Sequence, residues 1–308
     1  MRIAVIGGGA MGGLWADRLA TIGAEVTIVD VSQPVVDRIR TQGLSVTTPG
    51  GPSLSHPTAT TDPAGTGPVD LAYFFTKAHH TRAAAEAARP LVGPQTTIVS
   101  LQNGWGNGDT IADVLGSEQL VFGVTYQSAR ADGPGQVVQT STGPTVLGPY
   151  AETRDLRMAE AVATLQGQAG LPTTATAGVR TEVWKKVVLN TATLPTSALT
   201  GLYAGVLGQP GPMLDLALSI ARESVAVLRA AGYDIDPTER VEAITALLGR
   251  AGKGKASMLQ DAEARRKTEI EVINGAIVAQ AARVGVEAPL NRAMVALIGG
   301  LERAWDQA

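Results

Sequence analysis

The 308-residue chain contains no cysteine, which excludes disulfides, thiolate metal sites and a cysteine nucleophile but leaves the compartment open. Charge is sparse and balanced: 25 basic against 28 acidic residues give a net charge of -3. No long run of one sign occurs, so the clustered Lys and Arg of a nucleic-acid surface are missing. Apolar runs are short too, none approaching the roughly 18 residues of a membrane span. Residues 1 to 30 read as strand, turn and helix, not as a signal peptide, because glycine breaks the apolar run and Asp17 and Arg18 soon follow. The expectation is a cytoplasmic protein with no membrane or nucleic-acid partner. What remains is a hydrophobic fraction of 44% against 17% charged residues. That is the balance of a folded globular chain, long enough for two domains.

The first half alternates strand and helix patterns. RIAVI (Arg2 to Ile6) ends in GGGAMGG, and a helical pattern follows with Met11, Leu14, Leu19 and Ile22 on one face. AEVTIVD is a second buried strand, ending in Asp30. Further strands are expected at VDLAYFF (69–75), TTIVSL (96–101) and QLVFGVT (119–125), with an Ala-rich helix at TRAAAEAARPLV. Such alternation means βαβ units and a mostly parallel sheet. GPGQVVQTSTGPTVLG (133–148) reads as an antiparallel hairpin closing that domain, and 47–68, rich in Gly and Pro, as a hairpin or surface loop. From about Val179 the pattern turns helical, with helices expected at 180–194, 211–231, 237–249, 268–284 and 289–305.

Gly7, Gly9 and Gly12 fit G-x-G-x-x-G directly after a strand, with Ala10 and Met11 opening the helix, and Asp30 ends the next strand about 20 residues on. Together these form the dinucleotide fingerprint, in which bare backbone N–H groups at a helix N-terminus take the pyrophosphate. A glycine turn that merely packs strand on helix would not need all three features at once. The chain therefore reads as an N-terminal Rossmann-type, mostly parallel α/β domain (1–177), followed by an all-α C-terminal domain (178–308). A carboxylate at Asp30 accepts from both ribose hydroxyls and repels a 2′-phosphate, and Val31, Ser32 and Gln33 supply no cation. NAD is the expected cofactor, with NADP as the alternative.

Five stretches carry a resemblance to a known family: IGGGAMGG, TKAHHTRAA around Lys77, LQNGWGN around Asn103, EVWKKVVLN around Lys186 and Asn190, and SMLQDAEARRKTEIEVINGA from Ser257 to Ala276. Over nearly its whole length the chain resembles ketopantoate reductase (2-dehydropantoate 2-reductase), whose relatives include NAD-dependent D-2-hydroxy acid dehydrogenases of the D-mandelate type. The resemblance implies reduction of a 2-oxo acid to a D-2-hydroxy acid with a nicotinamide cofactor. It implies Lys186 as general acid, Glu269 as a partner for the lysine or substrate, and Asn190 and Ser257 as substrate contacts. Lys77 and Asn103 would lie at strand ends flanking the nicotinamide, with Asn103 near substrate as well. The chain departs from the family at three places. Asp30 stands where a basic residue and NADPH preference are usual, Leu194 replaces a second asparagine, and Gln127 stands where some members have histidine.

The chemistry suits these residue types. Hydride arriving at a ketone carbon leaves charge on the oxygen, which needs a proton donor or cation in a site that excludes water. A lysine serves if burial lowers its pKa toward working pH. On a helix Lys186 and Asn190 stand i, i+4 and share a face, whereas Lys185 points roughly 100° away toward solvent. Each residue also has a plainer reading. Lys186 could be a surface lysine, Glu269 a helix-terminal charge, Ser257 an N-cap, Lys77 a loop lysine and Asn103-Gly104 a turn. His79 and His80 read as helix-start residues, Trp105 and Trp184 as packing, and Arg265 to Lys267 as a solvated face.

The leading expectation is thus reduction of a 2-oxo acid, ketopantoate first. The runner-up is a NAD-dependent D-2-hydroxy acid (D-mandelate-type) dehydrogenase taking a bulkier apolar substrate, as Leu194 suggests. A non-catalytic dinucleotide-binding sensor is a third reading, one that would not need Lys186, Asn190, Ser257 and Glu269 together. The apolar C-terminal helices allow a homodimer or packing on their own domain.

Overall fold

A computed structural model describes residues 1–305 and 307. Two compact units result: Met1–Gln102 with Asn107–Val179, and Asn103–Gly106 with the chain from Arg180 onward.

The first unit is built on twelve strands. They are β1 (Arg2–Ile6), β2 (Glu25–Val29), β3 (Leu44–Thr48), β4 (Gly51–Ser55), β5 (Thr58–Thr60), β6 (Leu71–Phe74), β7 (Thr97–Ser100), β8 (Leu120–Thr125), β9 (Ser128–Gly133), β10 (Gln136–Ser141), β11 (Thr145–Pro149) and β12 (Thr173–Ala175). Eight form one sheet in the order β12-β11-β8-β7-β6-β1-β2-β5, parallel throughout except where β11 meets β8. Its helices are α1 (Ala10–Thr21), α2 (Gln33–Gln42), α3 (Thr81–Ala87), α4 (Asn107–Leu115) and α5 (Arg157–Gln168).

Both faces of the sheet are covered, which explains why its central strands, such as Leu71–Phe74 and Leu120–Thr125, are continuously buried and mainly apolar. Ile3 and Val5 of β1 point into a core with Leu14, Trp15 and Leu19 of α1. Their neighbours Ala4 and Ile6 point the other way, into a core with Ala85, Ile111 and Val114. Strand order reverses at β1, between β2 and β6, and crevices at the carboxyl ends of such strands are where open α/β sheets take ligands.

The remaining strands form a smaller sheet, β4-β3-β10-β9. This corrects the expected hairpin over 133–148. Its two strands part company, β10 pairing with β9 and β3, and β11 with β8 and β12. The hairpin is instead β9–β10, turned at Gly133-Pro134-Gly135. The 47–68 region holds the end of the β3–β4 hairpin and then β5, which joins the large sheet beside β2.

The second unit is helical: α6 (Val179–Thr200), α7 (Ala204–Leu207), α8 (Pro212–Ala230), α9 (Pro237–Arg250), α10 (Ser257–Glu263), α11 (Ile270–Val284) and α12 (Pro289–Trp305). Asp236 caps α9 by accepting from the Thr238 and Glu239 N–H groups at 2.8 and 2.9 Å. α6 runs past its expected end at 194 to Thr200, with Pro195 inside it. Leu194 joins Met258, Ile270, Ile273 and Ile298 in a buried cluster linking α6, α10, α11 and α12. Among the described residues, no helix is long and apolar enough to cross a membrane.

Candidate active site

In the sheet unit, the turn after β1 is dictated by close approach of backbone to backbone. Gly7 has φ +97, and a Cβ on it would stand 2.9 Å from the Thr76 nitrogen. A Cβ on Gly12 would lie 1.8 Å from the Gly7 carbonyl oxygen, so helix α1 can sit this close to the turn only without a side chain there. Gly9 differs: a Cβ on it would meet nothing within 4 Å. Gly9 is the N-cap of α1 and offers no side-chain cap. The first intrahelical bond runs from the Gly13 N–H to the Gly9 carbonyl at 2.8 Å. The N–H groups of Ala10, Met11 and Gly12 therefore lack helical acceptors and lie at the positive end of the helix dipole. Open space above bare N–H donors fits the pyrophosphate of a dinucleotide.

Asp30 belongs to the same turn. One carboxylate oxygen accepts from the Gly8 N–H at 2.7 Å and the other from the Ser32 N–H at 2.8 Å. Asp30 thus fastens the end of β2 to the glycine turn, a role that spacing alone did not reveal, and each oxygen keeps a second lone pair for a ligand. Lys77 follows β6 on the Thr76 side of Gly7 and precedes a single 3-10 turn, Ala78–His80. His79 and His80 in that turn are exposed. Gln102 steadies this loop, its amide donating to the Thr76 carbonyl at 2.9 Å and the Thr81 hydroxyl at 2.8 Å.

In the helical unit, Lys186 is the centre. Its Nζ donates to Asn103 Oδ1 at 2.9 Å. Lys186 as a whole is half-buried. Desolvation lowers its pKa from the ordinary lysine value to about 8, and the negative charge of Glu269 opposes the shift. Glu269 is only 8% exposed, so it is no solvated helix charge. It occupies the N-cap position of α11 without capping it. Lys185, by contrast, pairs with Glu182 at 2.8 Å and is partly exposed.

Asn190 stands one turn beyond Lys186 and is 6% exposed. Among the described residues no hydrogen bond reaches its amide. The Ser257 hydroxyl is likewise unbonded, and Ser257 is not the N-cap of α10, a place taken by Ala256. Leu194 faces the hydrophobic cluster, packed with Met258 and Ile270, the residues that follow Ser257 and Glu269. That cluster draws α10 and α11 onto α6. Gln127 is spent within the sheet unit, donating to the Gly143 carbonyl at 2.7 Å and accepting from Gln139 at 2.8 Å. Arg266 of the basic run pairs with the buried Asp261 at 3.2 Å.

Two features escaped sequence reasoning. Trp105, read as packing, stacks on the fully buried Trp184 at a ring separation of 4.2 Å and 16°. Arg180 lies over the Trp105 ring at 6.0 Å. Gly104, at φ +84, leaves 2.5 Å between a would-be Cβ and the Val272 carbonyl oxygen of α11. The Trp105 N–H donates to that same oxygen at 2.8 Å. The four-residue segment that carries Asn103 is therefore clamped between α6 and α11, which fixes the acceptor against Lys186. The signal in the sequence was two tryptophans, one flanking each member of the Asn103–Lys186 pair. Among the described residues no group of three or more His, Asp or Glu side chains is placed to hold a metal ion.

Two family models match the chain: "Ketopantoate reductase PanE/ApbA" over residues 3–152 and "Ketopantoate reductase PanE/ApbA C terminal" over 178–302. A 2-dehydropantoate 2-reductase of Pyrococcus horikoshii is 32% identical over 98% of this chain and 98% of its own. Among solved structures, a 2-dehydropantoate 2-reductase from Geobacter metallireducens GS-15 is 28% identical, with TM-score 0.92 over 99% of this chain and 100% of that one. A D-mandelate dehydrogenase in complex with NADH is 25% identical, with TM-score 0.91 over 99% of both chains.

Proposed function

The chain belongs to the ketopantoate reductase PanE/ApbA family, and from that premise we propose that it is a nicotinamide-dependent reductase of a 2-oxo acid to a D-2-hydroxy acid. The observation that carries this reading is the Lys186 ammonium: desolvated, with a pKa of about 8, held by Asn103 and one helical turn from a buried Asn190 amide that no group among the described residues uses. A residue kept at that cost in desolvation suits a proton donor working near neutral pH.

In the proposed reaction a bound nicotinamide supplies the hydride to the carbonyl carbon. Lys186 gives its proton to the carbonyl oxygen as charge develops there, and the neutral amine is reprotonated from solvent. Glu269 keeps the amine protonated at rest by offsetting part of the burial penalty. Asn190 and Ser257 offer an amide and a hydroxyl to the substrate's polar groups, and Asn103 holds the ammonium in place. In this reading residues 1–177 bind the dinucleotide through Gly7, Gly9, Ala10, Met11, Gly12, Asp30 and Lys77. Residues 178–308 bind the substrate.

Asp30 supports NADH over NADPH, because a 2′-phosphate would meet a carboxylate with no cation among Val31, Ser32 and Gln33. Ketopantoate is the first substrate to test. A second reading, with a more apolar 2-oxo acid, rests on the NADH-bound D-mandelate dehydrogenase, which is similar across 99% of the chain. Leu194 does not argue for it, because it is packed in the buried cluster. The test is the loss of NADH or NADPH absorbance with ketopantoate and a panel of branched and aromatic 2-oxo acids. Turnover of one of them with NADH is expected. Tight NADH binding without turnover of any would overturn the reading in favour of a dinucleotide sensor.

A further inference from the structure

Pro195 lies inside α6. A proline has no N–H, so the carbonyl of the residue four before it loses its helical donor, and the ring crowds that same carbonyl. Here that residue is Thr191, which is completely buried, so bulk water cannot take the vacant place. An orphaned buried carbonyl is destabilising unless another donor reaches it.

A donor does. The Asn274 amide of α11 reaches the Thr191 carbonyl oxygen at 3.2 Å. Its second N–H donates to Asn291 Oδ1 of α12 at 3.0 Å. Asn291 in turn donates to Glu223 of α8 at 2.9 Å. Glu223 also accepts the N–H groups of Leu290 and Asn291 at 2.9 and 2.8 Å, closing the first turn of α12. Asn274 and Asn291 are both completely buried. A chain of side-chain bonds therefore runs from α8 through α12 and α11 and ends on the one carbonyl of α6 that proline leaves open.

We infer that Asn274 is a positioning residue, supplying from the side the hydrogen bond that Pro195 removes and so fixing the course of α6, the helix that carries Lys186 and Asn190. Thr191 follows Asn190 directly, so pinning its carbonyl pins the peptide at the end of the functional face. A misplacement of about 1 Å there is enough to lower turnover by up to about 100-fold. The catalytic part of this inference rests on the proposed reductase activity; the structural part does not.

The two residues should be coupled, because Pro195→Ala restores the N–H that makes Asn274 redundant. A double-mutant cycle with Asn274→Leu and Pro195→Ala isolates that coupling. In the wild-type background N274L should lower Tm by roughly 3–8 °C. It should also lower kcat about tenfold, with KM for NADH unchanged, and hasten hydrogen exchange of the α6 amides. In the P195A background more than half of each loss should vanish. If N274L alone does not fold, P195A/N274L must.

Additive losses, or failure of both proteins to fold, would overturn the inference. So would coupled Tm values accompanied by wild-type kcat in N274L, since the bond would then be structural only. Should the wild-type protein reduce no 2-oxo acid, the proposed function falls, while Tm and exchange still decide the coupling.

Discussion

At the glycine turn the groups offered to a ligand are backbone N–H donors, and what matters is the side chains that are missing. At Lys186 the groups are side chains, drawn from α6, from the start of α11 and from a segment more than 80 residues upstream that bonds to Lys186. The first site is set by local geometry within one strand, turn and helix. The second exists only once several helices have packed. One consequence is that the turn tolerates little change in shape, whereas the lysine site depends on contacts between helices, such as those of the Asn103–Gly106 segment with α6 and α11.

The sharpest way to separate the two is Lys186→Ala. Turnover should fall roughly 10²–10⁴-fold, the usual worth of a general acid, while NADH affinity by fluorescence titration stays at the wild-type value. A parallel loss of NADH binding would erase the distinction. Asp30→Asn comes next. Removing the charge, at the loss of one of the two backbone N–H contacts, should shift the NADH-to-NADPH ratio of kcat/KM by about 10–100-fold toward NADPH, the range expected when a like charge leaves a binding site. The effect should appear in KM and leave kcat nearly unchanged.

Two glycine substitutions then sharpen the comparison from opposite sides. Gly9→Ala places a methyl in open space, so Tm should hold while NADH affinity weakens about tenfold, as the methyl intrudes where the pyrophosphate approaches. Gly104→Ala places one against Val272 at a positive φ. It should lower Tm by several degrees, roughly as expected for 1–3 kcal/mol of strain, and lower kcat without changing NADH affinity. The smallest effect is expected for Trp105→Leu. Loss of a stacked aromatic pair, worth about 1 kcal/mol, should lower Tm by roughly 2–4 °C and abolish any exciton-coupled tryptophan circular dichroism.

The contrast also accounts for what could be read from the sequence. The glycine turn, Asp30 and the alternation of strand and helix were legible because each is a short-range pattern with its own geometry. The strands at 133–148 were not, because a period-two pattern does not say which sheet receives each strand, and these two went to different ones. Lys186 and Asn190 shared a visible helical spacing. The stack of Trp105 on Trp184, the clamp on Gly104 and the reach of Asn274 to Thr191 were hidden because each joins residues far apart in the chain. Pro195 was the nearest thing to a signal. A proline four residues after Thr191 announces an open carbonyl, but not which helix will answer it. Leu194 shows the opposite limit, since a change that looked like a substrate contact belongs to the buried cluster under the site.

The central claim is that the Lys186 ammonium supplies the proton for reduction, and the pH dependence of kcat/KM tests it most directly, because that parameter reports the pKa values of the free enzyme. With a lysine pKa of about 8, 2-oxo acid reduction should be level below that pH. Above it the rate should fall about tenfold per unit as the donor is lost, while oxidation of the matching hydroxy acid rises over the same interval. In Lys186→Ala the residual reduction should show no such break. A wild-type profile that stays level well above pH 8, or a break that survives in Lys186→Ala, would contradict the account.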